Sequence, residues 1–332
     1  MNMYNWVDNL ISQKVKIPMP ILSFPGVQML GISVKEMLES DEKQAQCIKA
    51  IADEFNFAAA LGHMDLSIEA EAFGSKIKFD DAEVPTVLGS IIDTEQDAQN
   101  LVVPEIGAGR TGVCVKAAEN AKKLITDRPF FAGVIGPFSL SGRMMDMTEI
   151  MVKCLIEPEI THIVLKKATE FLKKYTLAMK NAGADGVIIA EPAAGLLSPA
   201  ICEEFSSKYV KEIVDAVQDE NFIVIYHNCG NTIPLIDSIL SVGAKAYHFG
   251  DAVDIGLVLE KMPKDIPVMG NLSPAEHFKG GTPQSVYKAT KEMLEKTRGY
   301  NNYIPSSGCD IPPLTPLENI HAFLNAILDF YS

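Results

Sequence analysis

The residues of this sequence best suited to chemistry are a histidine and two cysteines. His227-Asn228-Cys229 sets an imidazole and a thiol two positions apart, just after an apolar run and just before a turn at Gly230. Alone, that pair reads more readily as a strand-end histidine beside a packed thiol than as a ligand pair. Cys309 shifts the balance, because it lies in Ser306-Ser307-Gly308-Cys309-Asp310, a flexible turn after another apolar run, where a structural thiol has little to pack against. One histidine and two cysteines suit Zn²⁺. Three protein ligands leave the fourth tetrahedral position for water or substrate, which marks a catalytic site and not a structural one.

Those side chains need a scaffold that brings them together. From about residue 129 onward, short apolar runs alternate with helix-length amphipathic stretches, the pattern of βα units around a parallel sheet. Phe130 to Ile135, Gly186 to Ala190, Phe222 to Tyr226, Ala246 to Phe249, Pro267 to Met269 and Tyr303 to Pro305 are the expected strands. Pro20 to Ser23 and Phe57 to Leu61 raise the count to eight, which fits an α/β fold of the (β/α)8 TIM-barrel type. Residues 1–332 read as one such domain, with an N-terminal extension and an insertion around residues 76–127, where Pro85, Pro104 and Gly107 to Gly112 interrupt the rhythm.

Ser198-Pro199, Ser273-Pro274, Thr282-Pro283 and Thr315-Pro316 each place a capping hydroxyl before a proline suited to the first helical position. Cys202, Phe205, Tyr209, Ile213 and Val217 recur at spacings of three and four, so Cys202 belongs to a buried helical face. The fifth and eighth strands of a barrel lie three apart. The loops carrying Cys229 and Cys309 must therefore lean over the axis, which Gly230 and Gly308 permit.

Reactive groups of an α/β barrel collect where strands end. Besides the triad, those positions hold His63 and Asp65, Glu191, His248 and Asp251, Asn271, and Asp310. Glu191, just before Pro192, is expected to point over the mouth as a resting fourth metal ligand or as the acceptor of a substrate proton; a structural hydrogen bond is the competing reading. Asp251 and Asn271 are expected to line the substrate pocket, with Glu69 and Glu71 orienting loops around it. Arg143 suits a small anionic tail such as a sulfonate or carboxylate.

Composition narrows the partners. Lys and Arg total 29 against 43 Asp and Glu, a net charge of -14, so nucleic acid is not an expected partner. Only Arg110, Arg128, Arg143 and Arg298 supply guanidinium groups, too few for a ligand rich in carboxylates or phosphates. No stretch approaches the ~18 apolar residues of a membrane span, and Asp8 and Asn9 fall where a signal peptide would be apolar. A cytoplasmic protein is expected, whose six scattered cysteines are core thiols or metal ligands and not disulfides.

Several segments together resemble a known family. They are the triad, Glu69-Ala70-Glu71-Ala72-Phe73-Gly74, Gly133-Val134-Ile135-Gly136-Pro137-Phe138, Ala190-Glu191-Pro192 and the closing run from Pro312 to Ile320. The sequence resembles the uroporphyrinogen decarboxylase superfamily over roughly residues 18 to 330, and within it the zinc-dependent methylcobamide:coenzyme M methyltransferases. That resemblance implies a Zn²⁺ on His227, Cys229 and Cys309, and a methylcobamide donor carried by a small corrinoid protein. It also implies a small acceptor thiol, coenzyme M or a relative. Metal ligation would deprotonate the thiol, and the thiolate would take the methyl group from cobalt in an in-line displacement that leaves Co(I).

Met144 and Met145, with Met147 and Met151, could line the corrinoid's approach, plain helix core being the alternative. His63 and His248 are candidates for the same cofactor-facing role, against that of hydrogen-bonded mouth histidines. Two other functions stay open at this point: a metal-free decarboxylase of tetrapyrrole-like substrates, and a non-catalytic barrel that only binds a corrinoid or a partner. The oligomeric state is not readable from the sequence.

Overall fold

A computed structural model describes residues 1–332. Seven parallel strands form one sheet, each beside its successor: β1 (Ala60–Leu61), β4 (Phe130–Ile135), β5 (Gly186–Ala190), β6 (Ile223–Asn228), β7 (Ala246–Phe249), β8 (Val268–Leu272) and β9 (Tyr303–Ser307). A separate antiparallel hairpin pairs β2 (Lys76–Lys78) with β3 (Thr86–Leu88). The expected first strand, Pro20 to Ser23, is not a regular strand. An extended segment closes the barrel in its place: Met19 N–H donates to the Pro305 carbonyl on one side, and Ala58 N–H donates to the Pro18 carbonyl on the other. Pro18 and Pro20 have no N–H to give, so the segment bridges the two edges without building a ladder.

Both faces of these strands are buried, which is why they read as continuous apolar runs and not as alternating ones. Parity still sorts the side chains. Phe131, Ile188, Ile223, Ile225, Ala246, Met269 and Ile304 fill the barrel interior, where they meet Met3, Val7 and Leu10 of the N-terminal helix Met3–Ser12. Met3 N–H donates to the carbonyl of Glu220, just ahead of β6, so the N-terminal extension plugs the end of the barrel away from the strand C-termini. Val134, Val187, Ile189, Val224, Tyr226 and Tyr247 face outward into the larger core shared with the helices.

The insertion is shorter than the expected 76–127. The β2–β3 hairpin and the helix Glu95–Asn100 belong to it, but the helix Thr111–Leu124 packs on the helix Asp41–Glu54 and leads into β4, as a barrel helix should. Its buried face is Cys114, Ala117, Ala118 and Ala121, too small and weakly apolar to stand out as a period. The helices after Ser198, Ser273 and Thr282 begin where expected. The last helix instead starts at Leu317, because the Thr315 hydroxyl donates to the Pro312 carbonyl and caps nothing. Cys202 is fully buried on its helical face.

Candidate metal centre

β6 carries His227 at the same parity as Ile223 and Ile225, so its ring enters the barrel interior near the C-terminal end. Asn228 then faces the other way and fixes the turn. Its amide donates to the Glu191 carbonyl (2.9 Å), and its side-chain oxygen accepts from Gly230 N–H (2.9 Å), which folds Cys229 back over His227. Cys309 arrives from beyond β9. Gly308 N–H donates to the Leu272 carbonyl (2.7 Å), and a Cβ at Gly308 would lie 2.8 Å from the Asp251 nitrogen. Only glycine lets the eighth loop press against the sixth and lean over the axis.

The outcome is one cluster. A nitrogen of His227 and the sulfurs of Cys229 and Cys309 all lie within 4.8 Å of one another, with Cys309 Sγ 3.5 Å from His227 Nε2. Tetrahedral zinc with bonds of ~2.05 Å to nitrogen and ~2.3 Å to sulfur spaces such a pair about 3.6 Å apart, so His227 and Cys309 already stand at the spacing that ion requires. The two sulfurs titrate as a pair. A hydrogen bond from the Cys309 thiol pulls the Cys229 pKa down, with help from His227, while the same bond and burial push Cys309 up. His227 Nδ1 lies 2.8 Å from His248 Nδ1, and His248 Nε2 lies 2.8 Å from Ser306 Oγ. Burial lowers the His248 pKa.

The triad opens into a cavity of about 60 Å³ walled by Ile21, Met64, Leu66, Ala190 and Pro192, with Asp310 at its edge. Met64, Leu66 and Asp310 also border an outer cavity of about 290 Å³, in which Arg143 faces Pro85, Pro312 and Pro313. Arg143 is half-buried, and it alone among the four arginines has no hydrogen-bonding or ionic partner. Arg110 pairs with Asp65 and Glu71, Arg128 with Asp127, and Arg298 with Glu295. Asp310 was visible in the sequence only as a polar neighbour of Cys309. Its Oδ1, buried and unpartnered, sits where the two cavities meet.

Other expected site residues lie elsewhere. Glu191 has the outward parity of Val187 and Ile189, and its carboxylate accepts from Phe138 N–H (2.9 Å) and Ser139 N–H (2.6 Å) at the N-terminus of the helix Pro137–Met145. It is neither a neighbour of the triad sulfurs nor open to a substrate. Burial raises its pKa to about 7 despite those bonds. Met144 and Met145 are fully buried in the helical core. His63 points outside the barrel wall into a void of about 20 Å³ beside Cys114 and Tyr175. Both of its ring nitrogens are unpartnered, and burial pushes its pKa down to about 3.

Asp251 and Asn271 line a different cavity, of about 310 Å³, beside the mouth. The Asn271 NH₂ donates to the Gly250 and Val253 carbonyls, both at 2.8 Å, and so ties down the loop after β7. Glu69 and Glu71 do hold loops, Glu69 by accepting from Ile135 N–H (3.0 Å) and Glu71 through Arg110 (2.7 Å). The four remaining cysteines are buried and unbridged.

Residues 21–330 match the uroporphyrinogen decarboxylase (URO-D) family. The chain belongs to that family. Among URO-D relatives it is 28% identical to the methylcobamide:CoM methyltransferase MtbA of Methanosarcina acetivorans, over 94% of both chains. It is 26% identical to a uroporphyrinogen decarboxylase of Coxiella burnetii, over 83% of this chain and 78% of the other. A solved methyltransferase structure from Methanosarcina mazei superposes over the whole of both chains with a TM-score of 0.86 at 23% identity, a likeness of fold. This URO-D chain is therefore a barrel enzyme by kinship, and its relatives include both transferases and decarboxylases. No helix in it is long and apolar enough to cross a membrane.

Proposed function

We propose that this protein transfers a methyl group from a methylated corrinoid, carried by a small partner protein, to a small thiol with an anionic tail. The observation that carries the reading is the convergence of His227 Nε2 with the sulfurs of Cys229 and Cys309 at the floor of a cavity whose outer chamber holds an unpaired arginine. His227, Cys229 and Cys309 would hold Zn²⁺, whose contribution is to bind the thiol and lower its pKa so that sulfur reacts as thiolate.

The chain's own residues do the rest. Arg143 takes the anionic end of the thiol through charge-assisted hydrogen bonds. The apolar wall of Ile21, Met64, Leu66 and Pro192 keeps water from the nucleophile and, at about 60 Å³, admits only a short unbranched carbon chain beside the metal site. Asn228 and Gly308 hold the two cysteine loops in place. The product thioether lacks the thiolate's charge and is a weaker ligand, which favours its release.

The decarboxylase reading is supported by kinship and not by the arginines. Three of the four arginines are already bonded to carboxylates, leaving one guanidinium to face a substrate. The test is to supply purified, zinc-loaded protein with methylcobalamin under anaerobic conditions, add coenzyme M, homocysteine or mercaptopropionate one at a time, and follow the corrinoid spectrum. Demethylation with an anionic thiol is expected. Spectra unchanged by every thiol would overturn the proposal.

A further inference from the structure

A histidine that serves a metal has two ring nitrogens, and the bond made by one decides whether the other offers a lone pair or a hydrogen. The hydrogen bonds behind His227 settle that choice from the far side of the barrel. The Ser306 hydroxyl donates to the Met19 carbonyl at 2.7 Å. A hydroxyl has one hydrogen, so toward His248 Nε2, 2.8 Å away, Ser306 Oγ acts as acceptor and His248 carries its hydrogen on Nε2. His248 is buried with no carboxylate against either ring nitrogen, so it carries one hydrogen only and its Nδ1 is then bare. It faces His227 Nδ1 at 2.8 Å, where two lone pairs would repel, so His227 must carry its hydrogen on Nδ1 and donate it. That leaves His227 Nε2 bare, on the side where Cys309 Sγ lies at 3.5 Å.

We propose that His248, Ser306 and the Met19 carbonyl form a positioning relay that fixes His227 with Nε2 as its open, metal-facing nitrogen. His227 and His248 are register partners on β6 and β7. Ser306 comes from β9, and Met19 from the proline-flanked segment that closes the barrel. The side chains of His227, His248 and Ser306 are all buried, so water does not compete for these bonds. Closure of the barrel and presentation of the ligand are thereby coupled: the carbonyl that orders the relay belongs to the residue whose N–H pins the closing segment to β9. The relay's value to a metal rests on the methyltransferase reading above. Its hydrogen-bond directions do not.

The test has two arms. In metal-free protein carrying ¹⁵N-labelled histidine, NMR at neutral pH should find the His227 hydrogen on Nδ1 and Nε2 bare; a hydrogen on Nε2 overturns the relay whether or not the protein ever binds zinc. In a chelator competition, Ser306→Ala and His248→Leu should each weaken zinc binding by roughly 10–100-fold. His248→Gln, whose amide oxygen can accept from His227 and whose NH₂ can donate to Ser306, should recover most of it, as should Ser306→Thr. Zinc affinity equal to that of the parent in both Ser306→Ala and His248→Leu also overturns the proposal. A parent protein that binds no zinc would defeat the methyltransferase reading and leave the NMR arm to decide the relay.

Discussion

The ends of β5 and β6 look alike in sequence and behave oppositely in the fold. Each finishes an apolar strand with an ionisable residue, Glu191 on one and His227 on the other. His227 continues the inward parity of Ile223 and Ile225, so it reaches the interior beside two sulfurs. Glu191 continues the outward parity of Val187 and Ile189, so it meets the N-terminus of a helix and both carboxylate oxygens are satisfied there by backbone N–H groups. Position at a strand end nominates a residue. Parity decides whether it can do chemistry.

The contrast is sharpest when each end is mutated. Cys229→Ser and Cys309→Ser each remove one sulfur from a three-ligand set, and methyl transfer should fall by roughly 10³-fold or more with loss of bound zinc. Metal analysis beside a turnover assay checks this, and full zinc retention in both variants would disperse the proposed site. Arg143→Ala should raise KM for an anionic thiol by roughly 10–100-fold, the worth of a charged hydrogen bond. Turnover of a neutral thiol such as mercaptoethanol should be little changed, so kinetics with the two thiols separate binding from chemistry.

Glu191→Gln should touch stability and leave zinc in place. A buried carboxyl whose pKa rises from 4.5 to about 7 on folding binds its proton in the folded state while the unfolded chain has lost it. Its contribution therefore weakens as pH rises from about 4.5 through 7 and is flat above that. Denaturant melts across that range should slope downward with pH in the parent and less so in Glu191→Gln. The smallest effect belongs to the four inner thiols. Joint replacement of Cys47, Cys114, Cys154 and Cys202 by Ala or Ser should lower the melting temperature by several degrees while zinc content stays at the parental level, measured on the same samples.

Much of the barrel was legible in the sequence because parallel strands buried on both faces write themselves as uninterrupted apolar runs, and β4, β5 and β7 have the expected bounds. The same property hid parity. A run such as Gly186 to Ala190 carries no alternation from which the inward side can be read, so in sequence Glu191 is indistinguishable from a mouth residue. The triad was legible because cysteine in a glycine turn is a chemical anomaly wherever it lies.

Other features depend on neighbours that no local pattern contains. Arg143, on the helix Pro137–Met145, and Asp310, in the turn after β9, are far apart in sequence, and their shared chamber exists only once the barrel is closed. The closing segment itself looked like a strand by composition, but Pro18 and Pro20 limit it to isolated bonds. Asn228 was legible in principle, since an Asn two positions before Gly is a turn former, but its importance lies in holding Cys229.

Direct binding of the thiol to a metal held by His227, Cys229 and Cys309 is the step on which the proposed chemistry turns. X-ray absorption at the zinc edge, on loaded protein with and without saturating anionic thiol, reads it most directly. Two sulfur ligands and one nitrogen from the protein should become three sulfurs and one nitrogen when the thiol binds. A sulfur count that stays at two in the saturated complex would contradict the mechanism, even if the protein proved to be a methyltransferase.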